Sequence, residues 1–275
     1  HPQTVQQYPL DGGVVISVTS MQLEAWLAAF IFPLARILAL VASAPVIGNR
    51  QIPARVKVGF AMLVTFLIAP TLAIQPDIQA SSGPGLFILL QQILVGLAMG
   101  FSMRLVFTAI EMAGDIMGMQ MGLGFASFYD PMNSTNTQVI AQFLGIIAIL
   151  AFLSLNGHLY MLATLAESFQ VFPISLHLPS ASAMHTLALW GGSIFSHALR
   201  LSMPLIAALL ITNLALGILT RSAPQLNIFA IGFPITLVVG FATLLLTLPY
   251  LTTVLEIYMQ AGQDMMLKVA RELAK

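Results

Sequence analysis

The sequence lacks cysteine altogether and carries very little charge. The absence of cysteine excludes disulfide bonds, thiolate metal sites and cysteine nucleophiles. Ten basic and ten acidic residues cancel, so neither a nucleic-acid surface nor a polybasic lipid anchor is indicated. Only 7% of the residues are charged while 58% are hydrophobic, and the mean hydropathy is +0.93. These values are typical of a polytopic membrane protein.

The usual signatures of catalysis and of metal binding are also missing. No two histidines show the i, i+4 spacing with an intervening glutamate that marks a zincin helix. The fragment Gly122–Ser127 begins like a phosphate-binding glycine loop, but it lacks the third glycine, the preceding strand and the P-loop lysine. We therefore predict no enzymatic activity, no metal and no cofactor.

Six apolar segments are each long enough to cross a membrane as a helix, which predicts an all-α fold. They run approximately over residues Leu23–Ala44, Val56–Ile74, Leu86–Met121, Val139–Phe172, Met184–Leu219 and Ile228–Met259. The last four, at roughly 32 to 36 residues and 1.5 Å per residue, would extend about 50 Å, beyond a hydrocarbon core of about 30 Å. Such helices either project from the membrane or break. We expect kinked or hairpinned helices, with breakpoints at Asn156-Gly157-His158, Gly191-Gly192, Pro204, Pro234 and Pro249.

The chain divides into three parts. Residues 1–15 are polar and rich in proline and glutamine, and we expect them to be an extension outside the folded unit. We expect residues 16–260 to form the helical domain and residues 261–275 to form an amphipathic tail. Arg50, Arg55 and Lys57 cluster between the first two segments, which predicts a cytoplasmic first loop by the positive-inside rule.

The stretch Ala113–Pro131 combines flexible and adaptable residues at membrane depth. Its glycines share one helix face up to Gly122, at a spacing that allows another backbone to approach closely. The glycines are Gly114, Gly118, Gly122 and Gly124, and the methionines considered as a pore gasket are Met117, Met119 and Met121. Unbranched, polarizable methionines adapt to varied contacts. The pattern is compatible with a gate and also with a tightly packed helix that ends in a loop.

Several charged residues lie inside the apolar segments, where charge is costly. The set considered for assembly is Arg36, Arg104, Glu111, Asp115 and Arg200. Arg104 and Glu111 are seven residues apart and share a helix face, which Asp115 continues one turn later. This stripe is either a water-filled or subunit-facing surface, or a set of paired charges that determines how helices assemble.

Landmarks in order along nearly the whole chain carry a family resemblance. They are Pro33 and Arg36; Ala44-Pro45; Pro53–Lys57 with Ala69-Pro70; Gln91–Gly96; Ala113–Pro131; Asn156–Leu159; and Ala223–Pro234. Together they resemble the FliR family of flagellar biosynthetic proteins and, more distantly, the SctT export-gate family of virulence type III secretion.

The resemblance implies a function that composition and spacing do not. It implies a core subunit of the flagellar type III export gate, through which unfolded flagellar proteins leave the cytoplasm. The implied fold is a fusion of FliP-like and FliQ-like folds. The implied partners are FliP-like and FliQ-like subunits, an FlhB-like switch subunit, export substrates and membrane lipid, within a hetero-oligomer. The implied location is the flagellar basal body in the inner membrane, with part of the assembly raised toward the periplasm.

In that family a loop of this subunit plugs the closed pore. The matching positions are Phe125, Ala126, Ser127, Phe128, Tyr129, Asp130, Pro131 and Met132. Tyr129 departs from the small aliphatic residue expected there. The alternatives are a secondary transporter of a small solute, suggested by broken helices and intramembrane charges, a virulence-system subunit, and an assembly scaffold that never touches cargo.

Overall fold

A computed structural model describes residues 20–72, 81–125, 139–176, 178–223 and 228–274. These residues form seven α-helices and two short 3-10 turns, and no strand is found among them. The helices are α1 (Ser20–Ser43), α2 (Ala54–Ile68), α3 (Gly83–Gln120), α4 (Val139–Ser154), α5 (Gly157–Val171), α6 (Ala181–Ser222) and α7 (Ile228–Leu273); the 3-10 turns are Ala69–Thr71 and Leu123–Phe125. The predicted all-α fold is confirmed.

Helix α3 is the centre of the subunit and packs against α1, α4, α6 and α7. It runs parallel to α1, because Gly96 lies on the backbone of Arg36 and Gly100 lies one turn further along, on Leu40 and Ser43. A side chain at either glycine would collide with α1, so the two backbones approach as closely as small residues allow. Helix α1 ends near the middle of α3, and the second half of α3 continues beyond it.

Helices α6 and α7 form a long antiparallel hairpin. The Ser180 amide donates to the carbonyl of Leu273 at 3.3 Å, and the Tyr258 hydroxyl donates to the carbonyl of His197 at 3.1 Å, which sets the register. Gly240 of α7 lies against Met121 at the end of α3. The first turns of α7, about 18 Å of helix at 1.5 Å per residue, therefore extend past α3 together with the end of α6.

The predicted break at Asn156-Gly157 is confirmed. Asn156 adopts a left-handed conformation with φ of 56°, and α4 and α5 meet there at 66°. At the other predicted positions, Gly191-Gly192, Pro204, Pro234 and Pro249, α6 and α7 continue without interruption, and a kink there stays a prediction. A proline removes one backbone hydrogen bond, and packing along a long hairpin outweighs that loss.

Most of these helices could span a bilayer. Among the described residues, five helices are long and apolar enough, or six if the bent pair α4–α5 counts as one span. The overlong segments are mostly continuous helices rather than broken ones. Residues 261–273, predicted as a tail, form the last turns of α7 and bury Met266, Val269 and Leu273 in the core.

Candidate functional site

The far end of α3 is the root of the predicted plug. The amide of Met121 donates to the carbonyl of Met117 at 3.0 Å, and the next residue, Gly122, turns left-handed with φ of 83°. A left-handed glycine directly after the last turn is a common way to end a helix, because it avoids a side-chain clash. The 3-10 turn Leu123–Phe125 follows. Phe125 is thus the last described residue here, and Ala126–Met132 lie outside the described part of the chain.

The chain returns to the bundle at α4, which is tightly packed on α3. Gly114 faces Ala141, and a Cβ placed on Gly114 would come within 2.7 Å of the Ala141 amide nitrogen. Gly118 is also buried in α3, whereas Gly124 lies in the 3-10 turn with open space around it. The four glycines predicted for hinge and helix packing therefore occupy two environments. Gly114 and Gly118 are buried within α3, and Gly122 and Gly124 lie in the turns that follow it.

The three methionines proposed as a gasket point in different directions. Met121 is fully buried, and its side chain fills the space left by Gly240 of α7. Met117 is buried and lines a groove of about 560 Å³ between α6 and α7. Met119 is 56% exposed. Of the three methionines, Met119 is therefore the one whose side chain is exposed.

Arg104 and Glu111 lie on the wall of one cavity of about 480 Å³. The cavity lies between the loop after α1, the middle of α3 and Ile149 of α4. Asp115 lies one turn beyond, half-buried. The ion pair found among the described residues joins Arg271 to Glu167 at 3.6 Å, so Arg104 and Glu111 are not within ion-pair distance of each other.

Arg36 is completely buried, and all its partners lie within the subunit. Its Nε donates to Oε1 of Gln92 at 2.8 Å, and its terminal nitrogens donate to the carbonyls of Ser168 at 2.9 Å and Phe172 at 2.7 Å and to the Ser168 hydroxyl at 3.1 Å. The guanidinium also lies 4.2 Å from the centre of the Phe169 ring. The last carbonyls of a helix carry partial negative charge, so the end of α5 serves Arg36 in place of a carboxylate.

Arg200 belongs to an aromatic cluster that sequence reasoning missed. His197 lies 4.4 Å from the ring of Tyr258 and 5.7 Å from Trp190, whose indole donates to the carbonyl of Ser102 at 3.0 Å. Arg200 lies one turn beyond His197, exposed, and lines the apolar groove between α6 and α7. The spacing of Trp190 and His197, seven residues, places them on one helix face and could have indicated the cluster.

None of this geometry resembles a reaction centre. Within the described ranges no three His, Asp or Glu side chains are placed to hold a metal ion. The charged groups instead mark helix ends, a loop cavity and a groove between helices.

Comparison with known proteins identifies the family. The family described as Bacterial export proteins, family 1, matches residues 27–262. The chain belongs to this FliR family. Flagellar biosynthetic protein FliR of Pectobacterium carotovorum subsp. carotovorum is 45% identical over 260 residues, covering 94% of this chain and 99% of that protein. The FliR protein of Escherichia coli K12 is 44% identical, covering 86% and 90%, and that of Bacillus subtilis 168 is 30% identical, covering 79% and 85%.

Membership of the FliR family agrees with the resemblance predicted from the landmarks. The match begins in α1 and extends into the second half of α7, so it includes the root of the plug, Arg36 and the polar stripe. Neither a small-solute transporter nor a virulence subunit is favoured by it.

Proposed function

We propose that this chain is a subunit of the flagellar type III export gate and that its segment Phe125–Met132 closes the protein-conducting pore. The first part follows from FliR-family membership. The chain acts in a membrane-embedded complex, in which FliP-like and FliQ-like subunits, an FlhB-like switch subunit and unfolded substrates are its partners. It has a structural and gating role, with no catalytic step.

The observation that carries the plug is the anchoring of both its ends. Upstream, Met121 is buried against Gly240 and holds the end of α3 in the core. Downstream, Ala141 packs on Gly114 within the first turn of α4. These two buried contacts hold in place the helices on either side of the segment. Gly122 and Gly124 supply the adaptable backbone between those contacts.

The methionines contribute unequally to this mechanism. Met119 contacts passing chains, because its side chain points outward. Met117 and Met121 support it from the core and reach a passing chain only if the plug root rearranges. An unbranched thioether side chain suits a seal around unrelated sequences, since it adapts its shape at low cost.

The subunit projects from the membrane on one side. Helix α1, from Gln22 to Ser43, spans about 32 Å at 1.5 Å per residue, and so does α3 from Gly83 to Arg104. The rest of α3 and the tip of the α6–α7 hairpin lie beyond that level, on the side of the loop 44–53. We place this projecting part in the periplasm. The loop 44–53 then also lies on the periplasmic side, opposite to the cytoplasmic side expected from its arginines.

Deleting Phe125–Met132 tests the plug. The deletion should leave the subunit in its complex while cells leak ions or small solutes through the gate, measured as membrane depolarisation. Normal secretion with an unchanged leak would rule the plug out. Loss of the complex would indicate instead that the segment only packs subunits together.

Crosslinking separates gating from a pure scaffold role. A photocrosslinker at Met119 or Phe128 should capture a stalled export substrate. The matched control is Leu97, which is exposed on the same helix about 33 Å before Met119. Capture from Leu97 alone, or from no position, contradicts contact between this segment and cargo.

A further inference from the structure

Two prolines lie opposite each other in the long hairpin of α6 and α7. The hydrogen bond between Ser180 and Leu273 joins the base of the hairpin. Pro204 and Pro249 are each 24 residues from one end of this bond, counted from Ser180 to Pro204 and from Pro249 to Leu273. Both are therefore about 36 Å from it at 1.5 Å per residue, at one level of the hairpin.

Each proline removes a hydrogen bond from its helix at this level. Proline has no amide hydrogen, so Pro204 cannot donate to the carbonyl of Arg200, and Pro249 cannot donate to that of Leu245. Sharp bends in helices occur mostly at proline. Because both helices lack a hydrogen bond at the same level, the hairpin can bend there as one unit.

The hairpin is held firmly to α3 between this level and its base. A Cβ placed on Gly262 of α7 would come within 2.7 Å of Cγ2 of Val106. The indole of Trp190 on α6 donates to the carbonyl of Ser102 at 3.0 Å. Both helices of the hairpin are thus fixed to α3 on this side of the prolines.

On the other side, the hairpin reaches the end of α3 through an adaptable contact. Gly240 lies about 13 Å beyond Pro249 toward the tip, against the flexible side chain of Met121. A bend of about 20° at the prolines would move Gly240 by about 5 Å, enough to separate it from Met121. The groove of about 560 Å³ lies beside Pro204, so the side chains of the subunit leave room for the bend.

We propose that Pro204 and Pro249 form a hinge in the hairpin and that bending at this hinge separates Gly240 from Met121. Met121 is the upstream anchor of the plug segment, so the inference rests on the proposed function and identifies what controls the plug. In the straight hairpin, Gly240 keeps the end of α3 in the core. In the bent hairpin, Met121 loses this contact, and the turn at Gly122 is no longer held.

Reversible disulfide bonds test the movement, because the chain has no cysteine of its own. The test pair is Met121→Cys with Gly240→Cys, in which the new Cβ lies 2.6 Å from the position of the Met121 Cγ and the shorter side chain makes room for it. The matched control pair is Val106→Cys with Gly262→Cys, on the firmly held side. Its Cβ atoms are 3.8 Å apart, the usual distance in a disulfide.

Secretion of flagellar proteins is measured before oxidation, after oxidation and after reduction. Oxidation of the test pair should stop secretion, and reduction should return it to its level before oxidation. Oxidation of the control pair should leave secretion unchanged. In complexes that hold a stalled export substrate, the test pair should also form its disulfide several-fold more slowly than in resting complexes. Secretion that continues through the oxidised test pair would overturn the hinge.

Proline replacements test the hinge without thiols. Pro204→Ala with Pro249→Ala restores one hydrogen bond in each helix, and alanine suits a helix, so folding is retained. Secretion should fall roughly tenfold, because both restored hydrogen bonds resist bending. The matched control Pro234→Ala restores a hydrogen bond in α7 beyond Gly240 and should leave secretion unchanged. Equal secretion by the double variant and the wild type contradicts the proposal.

Deletion of Phe125–Met132 separates failure of the hinge from failure of the plug. Cells with the deletion should leak whether the test pair is oxidised or reduced, because the anchor then holds no plug. A leak on deletion, together with secretion through the oxidised test pair, overturns the hinge and leaves the plug supported. No leak on deletion, together with secretion stopped by oxidation, overturns the plug and supports the hinge movement alone.

Discussion

Replacing Arg36 by alanine should strongly destabilise the subunit. The guanidinium makes four hydrogen bonds, but not all of its acceptors depend on it equally. The Ser168 carbonyl also accepts from the Phe172 amide at 2.9 Å, and the Ser168 hydroxyl donates to Leu165 at 2.6 Å. The acceptors left without a partner are the Phe172 carbonyl and Oε1 of Gln92. Each unsatisfied buried group costs about 1–3 kcal/mol.

Two further contributions to the free energy of unfolding act in opposite directions. The substitution loses the contact of the guanidinium with the Phe169 ring, worth about 2 kcal/mol when desolvated, and leaves a cavity. It also removes the cost of burying a charge that has no carboxylate partner, which is several kcal/mol. The net destabilisation should be about 2–4 kcal/mol, because two unsatisfied acceptors and the lost ring contact together outweigh the relieved cost of burying the charge. For a chain of this size that lowers the melting temperature by roughly 4–16 °C.

Thermal unfolding of the purified protein in detergent measures the effect. Arg36→Lys should lie between wild type and Arg36→Ala, because one ammonium cannot reach acceptors on both α3 and α5. The control Arg55→Ala removes an exposed arginine of α2 and should change stability by less than about 0.5 kcal/mol. A double-mutant cycle with Gln92→Ala should give a coupling of about 1 kcal/mol or more. A melting temperature of Arg36→Ala equal to that of Arg55→Ala would refute the reasoning.

Two other results are expected. Gly114→Val should destabilise the subunit by about 2 kcal/mol or more through collision with Ala141, whereas Gly191→Ala, inside α6 with open space around it, should stabilise by about 0.5–1 kcal/mol. Equal melting temperatures for the two variants would contradict the close α3–α4 contact. The periplasmic placement predicts that Gln51→Cys, the sole thiol in a cysteine-free chain, reacts with an impermeant maleimide in cells whose outer membrane alone is permeable. Protection until the inner membrane is opened would support the cytoplasmic loop that the arginines indicate.

The helices were predictable because hydropathy is a local property. Each of the six apolar segments corresponds to a helix or, for Val139–Phe172, to the bent pair α4–α5. The break at Asn156-Gly157 was also predictable, since a left-handed residue next to glycine ends a helix without tertiary help. Whether a proline ends a helix or lies inside a continuous one was not predictable, because the missing hydrogen bond in α6 or α7 is a local cost while the packing that outweighs it is not.

Arg36 shows most clearly what sequence reasoning could not reach. It donates to the backbone carbonyls of Ser168 and Phe172, which lie 132 and 136 residues away in the sequence. Every residue has a backbone carbonyl, so the sequence does not indicate which ones will accept from Arg36. The role of Gly96 and Gly100 depends in the same way on which helix lies opposite. The plug positions Ala126–Met132 stay a prediction carried by family resemblance.

The sequence by itself determined a polytopic, all-helical membrane protein of the FliR family, with charges concentrated at a few points along its helices. It could do so because the lengths of the apolar segments and the order of the family landmarks are both properties of the sequence alone. Only the tertiary structure decided which charges are satisfied inside the subunit and which face open space. Arg36 is enclosed by a helix end from a distant segment, while Arg50, Arg104 and Glu111 converge on a cavity. That difference depends on packing, which brings together residues that the sequence keeps far apart.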